Sequence, residues 1–167
     1  MKILIWVGYQ KTIFDKKTWM DEGIGGTEYC AIKLSDYLDT NENDVTIAGD
    51  VKEGNWWGVQ YIHYNNFKSY QGPRGLTQVN NLTVHSHYDV VIGLQYLNYF
   101  KHLEDGGITF DRSYFWIHNE DFYRWYRGNE MDDVKQYLND PRLNKIVGVS
   151  KYHSEILRNR FKAFYDT

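Results

Sequence analysis

The sequence predicts an α/β protein: a doubly wound, six-stranded parallel sheet in the order 3-2-1-4-5-6, with helices on both faces. Three observations predict it. Six short apolar runs recur along the chain, as strands buried on both faces require. Apolar stripes at spacings of three and four fall between them. The two patterns alternate, and such alternation implies right-handed crossovers within one parallel sheet.

The first run is Lys2-Ile3-Leu4-Ile5-Trp6-Val7-Gly8, unbroken and closed by glycine. The second is Val45-Thr46-Ile47-Ala48-Gly49. The third, Val59-Gln60-Tyr61-Ile62-His63, alternates and belongs nearer an edge. Asp89-Val90-Val91-Ile92-Gly93-Leu94, Tyr114-Phe115-Trp116-Ile117 and Lys145-Ile146-Val147-Gly148-Val149-Ser150 complete the set. A helix over Thr27–Leu38 carries Cys30, Ala31, Leu34, Tyr37 and Leu38 on one stripe. A second runs from Tyr96 to Leu103 and stops at Gly106-Gly107. Met131, Val134, Tyr137 and Leu138 mark a third, ended by Pro141. Ser150 can cap a last helix bearing Tyr152, Ile156, Leu157 and Phe161. Tyr64 to Tyr88 shows a turn cluster at Gly72-Pro73-Arg74-Gly75 and no period. The chain reads as a single domain over residues 1–167.

Composition narrows the function. Charged residues are 25% of the 167, with a net charge of −3. No basic excess exists to hold a phosphate backbone, which argues against nucleic acid as partner. The lone Cys30 makes neither an internal disulfide nor a metal site. The first apolar run is too short for a signal sequence or a membrane span, so a cytoplasmic location and no transmembrane segment are expected. Asn81-Leu82-Thr83 is then a chance sequon. Aromatic residues reach 17%. Tyr and Trp join a polar handle to an apolar body and suit half-buried sites and sugar faces.

Ligands of open parallel sheets bind beyond the carboxyl ends of the strands. That rule selects Gly8-Tyr9, the loop to Gly26, Leu94-Gln95, His118-Asn119-Glu120-Asp121 and Ser150. The glycines at Gly23-Ile24-Gly25-Gly26-Thr27-Glu28 come too late after the first strand, and lack the third glycine, for a dinucleotide fingerprint. There is no phosphate-binding Gly-Lys-Ser/Thr loop either. Gly25-Gly26-Thr27 still opens a helix, whose free N–H groups and dipole favour an anion; a plain tight turn is the alternative. His118 ends the fifth strand, placed to exchange a proton or to hydrogen-bond a polar ligand, or simply to sit satisfied at the rim. His85-Ser86-His87 has metal-like spacing if extended, but no third ligand is marked and no metal is expected. His63, His102 and His153 carry no constellation.

These pieces together are similar to a known pattern. Gly25-Gly26-Thr27-Glu28 opens the first helix and Asp89-Val90-Val91-Ile92-Gly93 begins strand four. Trp116-Ile117-His118-Asn119 ends strand five, and Ile146-Val147-Gly148-Val149-Ser150-Lys151-Tyr152-His153 leads the final helix. Their order resembles the N-terminal half of retaining GT-B glycosyltransferases of the family 4, or group 1, type, across nearly the whole chain. The resemblance implies a Rossmann-like domain that faces a second one across a cleft. It implies transfer of a sugar, hexosyltransferase-like and metal-independent, from a nucleotide-sugar donor to a carbohydrate or glycan acceptor, with no other cofactor. It places His118 at the transferring sugar and Gly25, Gly26 and Thr27 at the donor diphosphate. Glu28, Tyr9, Asn119, Glu120 and Ser150 then line the acceptor side or the cleft. The C-terminal donor-binding domain lies outside this chain and would act in cis or in trans, so the 167-residue chain is expected to turn over poorly alone. A non-catalytic carbohydrate-binding domain, with Trp56-Trp57 and Phe122-Tyr123-Arg124-Trp125-Tyr126 as aromatic surfaces, is the alternative. A flavodoxin-like or other nucleotide-binding domain is another.

Overall fold

The structure, a computed structural model, describes residues 1–39, 42–68, 77–79, 82–119 and 129–165. It is α/β, with a mostly parallel open sheet. The central strand β1 (Lys2–Gly8) lies between β2 (Asp44–Gly49) and β7 (His87–Leu94), both parallel to it. β4 (Val59–His63) extends the sheet beyond β2, and β8 (Thr109–Ile117) and β9 (Leu143–Gly148) extend it beyond β7, all parallel.

The sheet has seven strands, ordered β3-β4-β2-β1-β7-β8-β9, rather than the six expected. The extra member is β3 (Gly54–Trp56), which runs antiparallel to β4 at the edge. Its cause is local. Trp57 and Gly58 both take positive φ, at 51° and 89°, and turn the chain straight back on itself. Such a two-residue turn matches the twist of paired strands. A separate hairpin, β5 (Thr77–Val79) with β6 (Leu82–Val84), occupies the stretch without a sequence period.

Helices cover both faces. α2 (Gly26–Leu38) buries Ala31 and Ile32 against Ile5, Val7, Val45 and Ile47 of the sheet. α4 (Tyr99–Asp105), α5 (Asn129–Leu138) and α6 (Lys151–Tyr165) cover the other face through Phe100, Leu103, Val134 and Leu157. The short α3 (Asn65–Lys68) sets Phe67 into the same cluster, beside Trp6. β1 is buried from Ile3 onward on both faces, as its unbroken apolar run requires.

The long connection after β1 is more ordered than a polar, glycine-bearing loop promises. Phe14 is fully buried and bridges to Val51, and Asp15 caps α1 (Lys16–Glu22) by accepting the Thr18 N–H at 2.6 Å. Phe14 is its main anchor. Trp19 packs only partly buried, edge-on to Tyr29. Among the described residues no helix is long and apolar enough to cross a membrane.

Candidate functional site

The carboxyl ends of β1, β7, β8 and β9 open on one edge of the sheet, and the start of α2 reaches over it. Gly8 ends β1 with φ 69°, and a Cβ there would lie 2.8 Å from Tyr96 Cδ2. Only glycine lets the chain turn out of the sheet so close to that ring. The turn delivers Tyr9, half exposed, edge-on to Tyr64 at 4.9 Å and to Tyr96 at 6.4 Å between centroids. Burial and the Tyr9 hydroxyl push the Tyr64 phenol up to about 12.

β7 ends at Leu94 and is followed by Gln95, a non-glycine residue with φ 69°. Its N–H donates to the Trp116 carbonyl at 3.0 Å, which holds the strained turn against β8. The Gln95 side chain faces the start of α2, where the Thr27 hydroxyl donates to Gln95 Oε1 at 3.3 Å. The same hydroxyl oxygen lies 3.2 Å from His118 Nδ1, at the end of β8. His118 packs edge-on to Trp116, with centroids 4.9 Å apart. Its pKa is lowered from the ordinary value, first by burial and then by charge on His153. His118 Nε2, Asn119 Oδ1 and Trp116 Nε1 are buried and meet no partner among the described residues.

β9 hands over to α6 through Ser150, whose Oγ accepts the His153 N–H at 3.0 Å. Ser150 thus caps the helix, as its position predicts, and that bond uses one lone pair of its hydroxyl and leaves its proton to donate. His153 folds back and accepts the Val149 N–H on Nδ1 at 3.1 Å. The pattern is a shifted capping box: an imidazole stands in place of the usual Glu or Gln and takes the N–H of the residue before the cap. His153 is only 6% exposed and its Nε2 is another buried atom without a partner. Sequence reasoning passed it over. The available signal was the S-x-x-H spacing after an apolar strand.

Gly25 and Gly26 sit at the head of α2, with Gly25 as N-cap and no side-chain cap. A Cβ on Gly25 would fall 2.5 Å from Glu28 Oε2, so the glycine makes room for a nearly buried carboxylate in the helix's first turn. That placement suits the dipole. It also means that Glu28 and an incoming anion would compete for the same helix end. A cleft of about 430 Å³ runs alongside, lined by Thr12, Glu22, Gly23, Ile24, Gly25 and Glu28. Its two charged lining residues are both acidic, which favours hydroxyl groups over phosphate.

Thr27 and His118 are therefore in contact, and Gln95 joins them. Tyr9 and Glu28 line the same edge. Glu120 lies outside the described residues, as do Asp121 and the aromatic run Phe122-Tyr123-Arg124-Trp125-Tyr126. Trp56 and Trp57 sit on the β3–β4 turn with centroids 6.2 Å apart and Lys16 over Trp57.

His85 and His87 do not share one site. His85 Nε2 bonds Asp44 at 2.7 Å, whereas His87 bonds Thr109 and faces Asp111 at 3.4 Å. His87, Asp89 and Asp111 bring ligand atoms within 4.8 Å of one another at the opposite, amino edge. Asp89 already accepts the Lys2 N–H there at 2.6 Å.

The chain matches no family model, no curated protein and no solved structure.

Proposed function

We infer that the chain is the N-terminal half of a glycosyltransferase, moving a sugar from a nucleotide-sugar donor to a carbohydrate acceptor with retention and without a metal. One observation carries the reading: the start of α2 and the end of β8 meet through Thr27 and His118, the two places where the motif resemblance puts donor-facing groups. A nucleotide sugar brings its own leaving group, so the protein's task is positioning and charge stabilisation. His118 supplies a hydrogen bond to the transferring sugar, and a ring held neutral by burial suits that role. The N–H groups of Gly25, Gly26 and Thr27 face the leaving diphosphate. Cations for that diphosphate come from a second domain, because the cleft beside Gly25 offers Glu22 and Glu28 instead. Tyr9, beside Tyr64 and Tyr96, gives the acceptor an aromatic face.

The acidic cleft also favours a second reading, a carbohydrate-binding domain without catalysis. Nuclear magnetic resonance of the labelled chain separates the two. A panel of UDP-, GDP- and ADP-sugars should shift the Gly25, Gly26 and Thr27 amides, with little turnover until a matching donor domain is added. Shifts with free sugars but none with any nucleotide sugar would favour the binding domain. Robust transfer by the chain alone would overturn the half-enzyme reading.

A further inference from the structure

His118 and His153 finish neighbouring strands. Ile117 pairs with Gly148 in the β8–β9 register; His118 follows the first, and His153 is bonded to Val149, which follows the second.

Counting protons gives what each ring offers once the Thr27 hydroxyl is assigned as the donor to Gln95. The Thr27 hydroxyl has one proton, and it goes to Gln95 Oε1. With its proton so placed, the Thr27 oxygen meets His118 Nδ1 as an acceptor, although the 3.2 Å contact by itself serves either tautomer. His118 carries its proton on Nδ1 and presents a lone pair at Nε2. His153 is the reverse. Its Nδ1 accepts the Val149 N–H, so the neutral ring carries its proton on Nε2. Both Nε2 atoms are buried and unpartnered among the described residues. Capping explains the Nδ1 of His153 but leaves its Nε2–H idle in a site 6% exposed. A buried donor without an acceptor costs free energy, and so does a buried acceptor without a donor.

We propose that His118 and His153 form a two-imidazole seat for one ligand hydroxyl, which donates to His118 Nε2 and accepts from His153 Nε2–H. Thr27, Gln95 and the Val149 amide are the positioning groups that set the two tautomers. A hydroxyl fits because it both gives and takes a hydrogen bond. A carboxylate or an ionised diphosphate-ester oxygen has no proton for His118, and an ammonium group has no lone pair for His153. Shielding from bulk water strengthens both bonds. The ligand class is thus a neutral alcohol, such as one hydroxyl of a sugar ring, in a place that a water can hold when the ligand is away. The seat rests on the reading of this edge as a carbohydrate site and adds His153 to it.

The test is long-range proton–nitrogen spectroscopy of the full chain carrying nitrogen-15 histidine. His118 should show an N–H-type Nδ1 and a lone-pair-type Nε2, and His153 the opposite. Thr27→Val should move His118 toward the Nε2–H form and leave His153 unchanged, while Thr27→Ser, which keeps the hydroxyl, should preserve the wild-type pattern. D-glucose should then shift both Nε2 signals together, and His153→Phe should abolish the shift at His118. One tautomer shared by both rings, an unchanged His118 in Thr27→Val, or a glucose response at one ring or at neither would overturn the seat. The transferase reading fails by a different result, namely Gly25 and Gly26 amides that no nucleotide sugar moves.

Discussion

Thr27 Oγ1 lies 3.2 Å from His118 Nδ1, and this contact ties the first turn of α2 to the end of a strand 91 residues further along the chain. Neither element fixes the other alone. Gln95 completes the join from the strand between β1 and β8, so three segments converge on one hydroxyl.

His118→Ala in an assembly with a donor domain should lower turnover more than donor binding. Losing one positioned hydrogen bond in the transition state costs roughly 2.7–4 kcal/mol, on the order of a hundred- to a thousand-fold in rate. Steady-state kinetics against donor titration checks this. Rates within about threefold of wild type would remove His118 from the chemistry.

The same residue sets a pH dependence of stability. Its folded pKa lies below the ordinary 6.5, because burial and then His153 disfavour the charged ring. The unfolded chain therefore binds that proton more readily. Stability from the neutral ring is present in full above pH 6.5 and is lost as pH falls through the folded value. One proton gives a slope of at most about 1.4 kcal/mol per pH unit. Denaturant midpoints from about pH 8 down to pH 5 should fall less steeply for His118→Gln than for wild type. Parallel curves would assign the acid loss to other groups.

How much was legible follows from what each element depends on. The parallel strands were readable because each carries its own apolar run, and β1 needs no neighbour to declare itself buried; the run of β9 marked a strand but not its burial, for Ile146 and Val147 stand exposed at the sheet edge. The edge strand β3 was not. It has three residues, and its pairing comes from the positive-φ turn at Trp57-Gly58, a backbone property that composition barely marks. Phe14 looked like part of a polar loop because its burial depends on Val51, far along the chain. At the site, His118 was legible from its place after an apolar strand. Gln95 was named only as a strand end, since the bond that gives it meaning runs to Thr27. His153 was missed because its two unlike nitrogens acquire roles only once Val149 is in place.

Two glycine substitutions should separate sharply. A Cβ on Gly106 would stand 2.1 Å from the Phe67 carbonyl oxygen, a backbone atom that cannot swing aside. Gly106→Ala should therefore displace α3 from α4 and cost about 1–3 kcal/mol, as overpacking does. A Cβ on Gly25 meets the end of the Glu28 side chain, which can rotate away. Gly25→Ala should leave the melting temperature nearly unchanged while altering the cleft. Thermal unfolding of the two variants decides the order, and equal losses would contradict it.

Gln95 offers the clearest contrast between stability and function. Its backbone sits at φ 69°, a left-handed conformation that costs a non-glycine residue about 1–3 kcal/mol. Gln95→Gly relieves that strain. Against this stand the lost bond from Thr27, about 0.5–1.5 kcal/mol, and the entropy of a new glycine, about 0.5–1 kcal/mol. The opposing contributions leave a net change within about 2 kcal/mol, or a melting shift of no more than about 8 °C. The Thr27 hydroxyl, freed from Gln95, can then turn its proton toward His118 Nδ1, so the ring's preference for the Nδ1–H form should weaken. Gln95→Asn gives a second route: asparagine tolerates the left-handed backbone, but its shorter side chain does not reach Thr27 as glutamine does. Both variants should fold like wild type and both should perturb the His118 ring nitrogens. A large melting loss in Gln95→Gly would show that the side chain holds the fold together, and unperturbed ring nitrogens in both variants would show that Gln95 has no hold on His118.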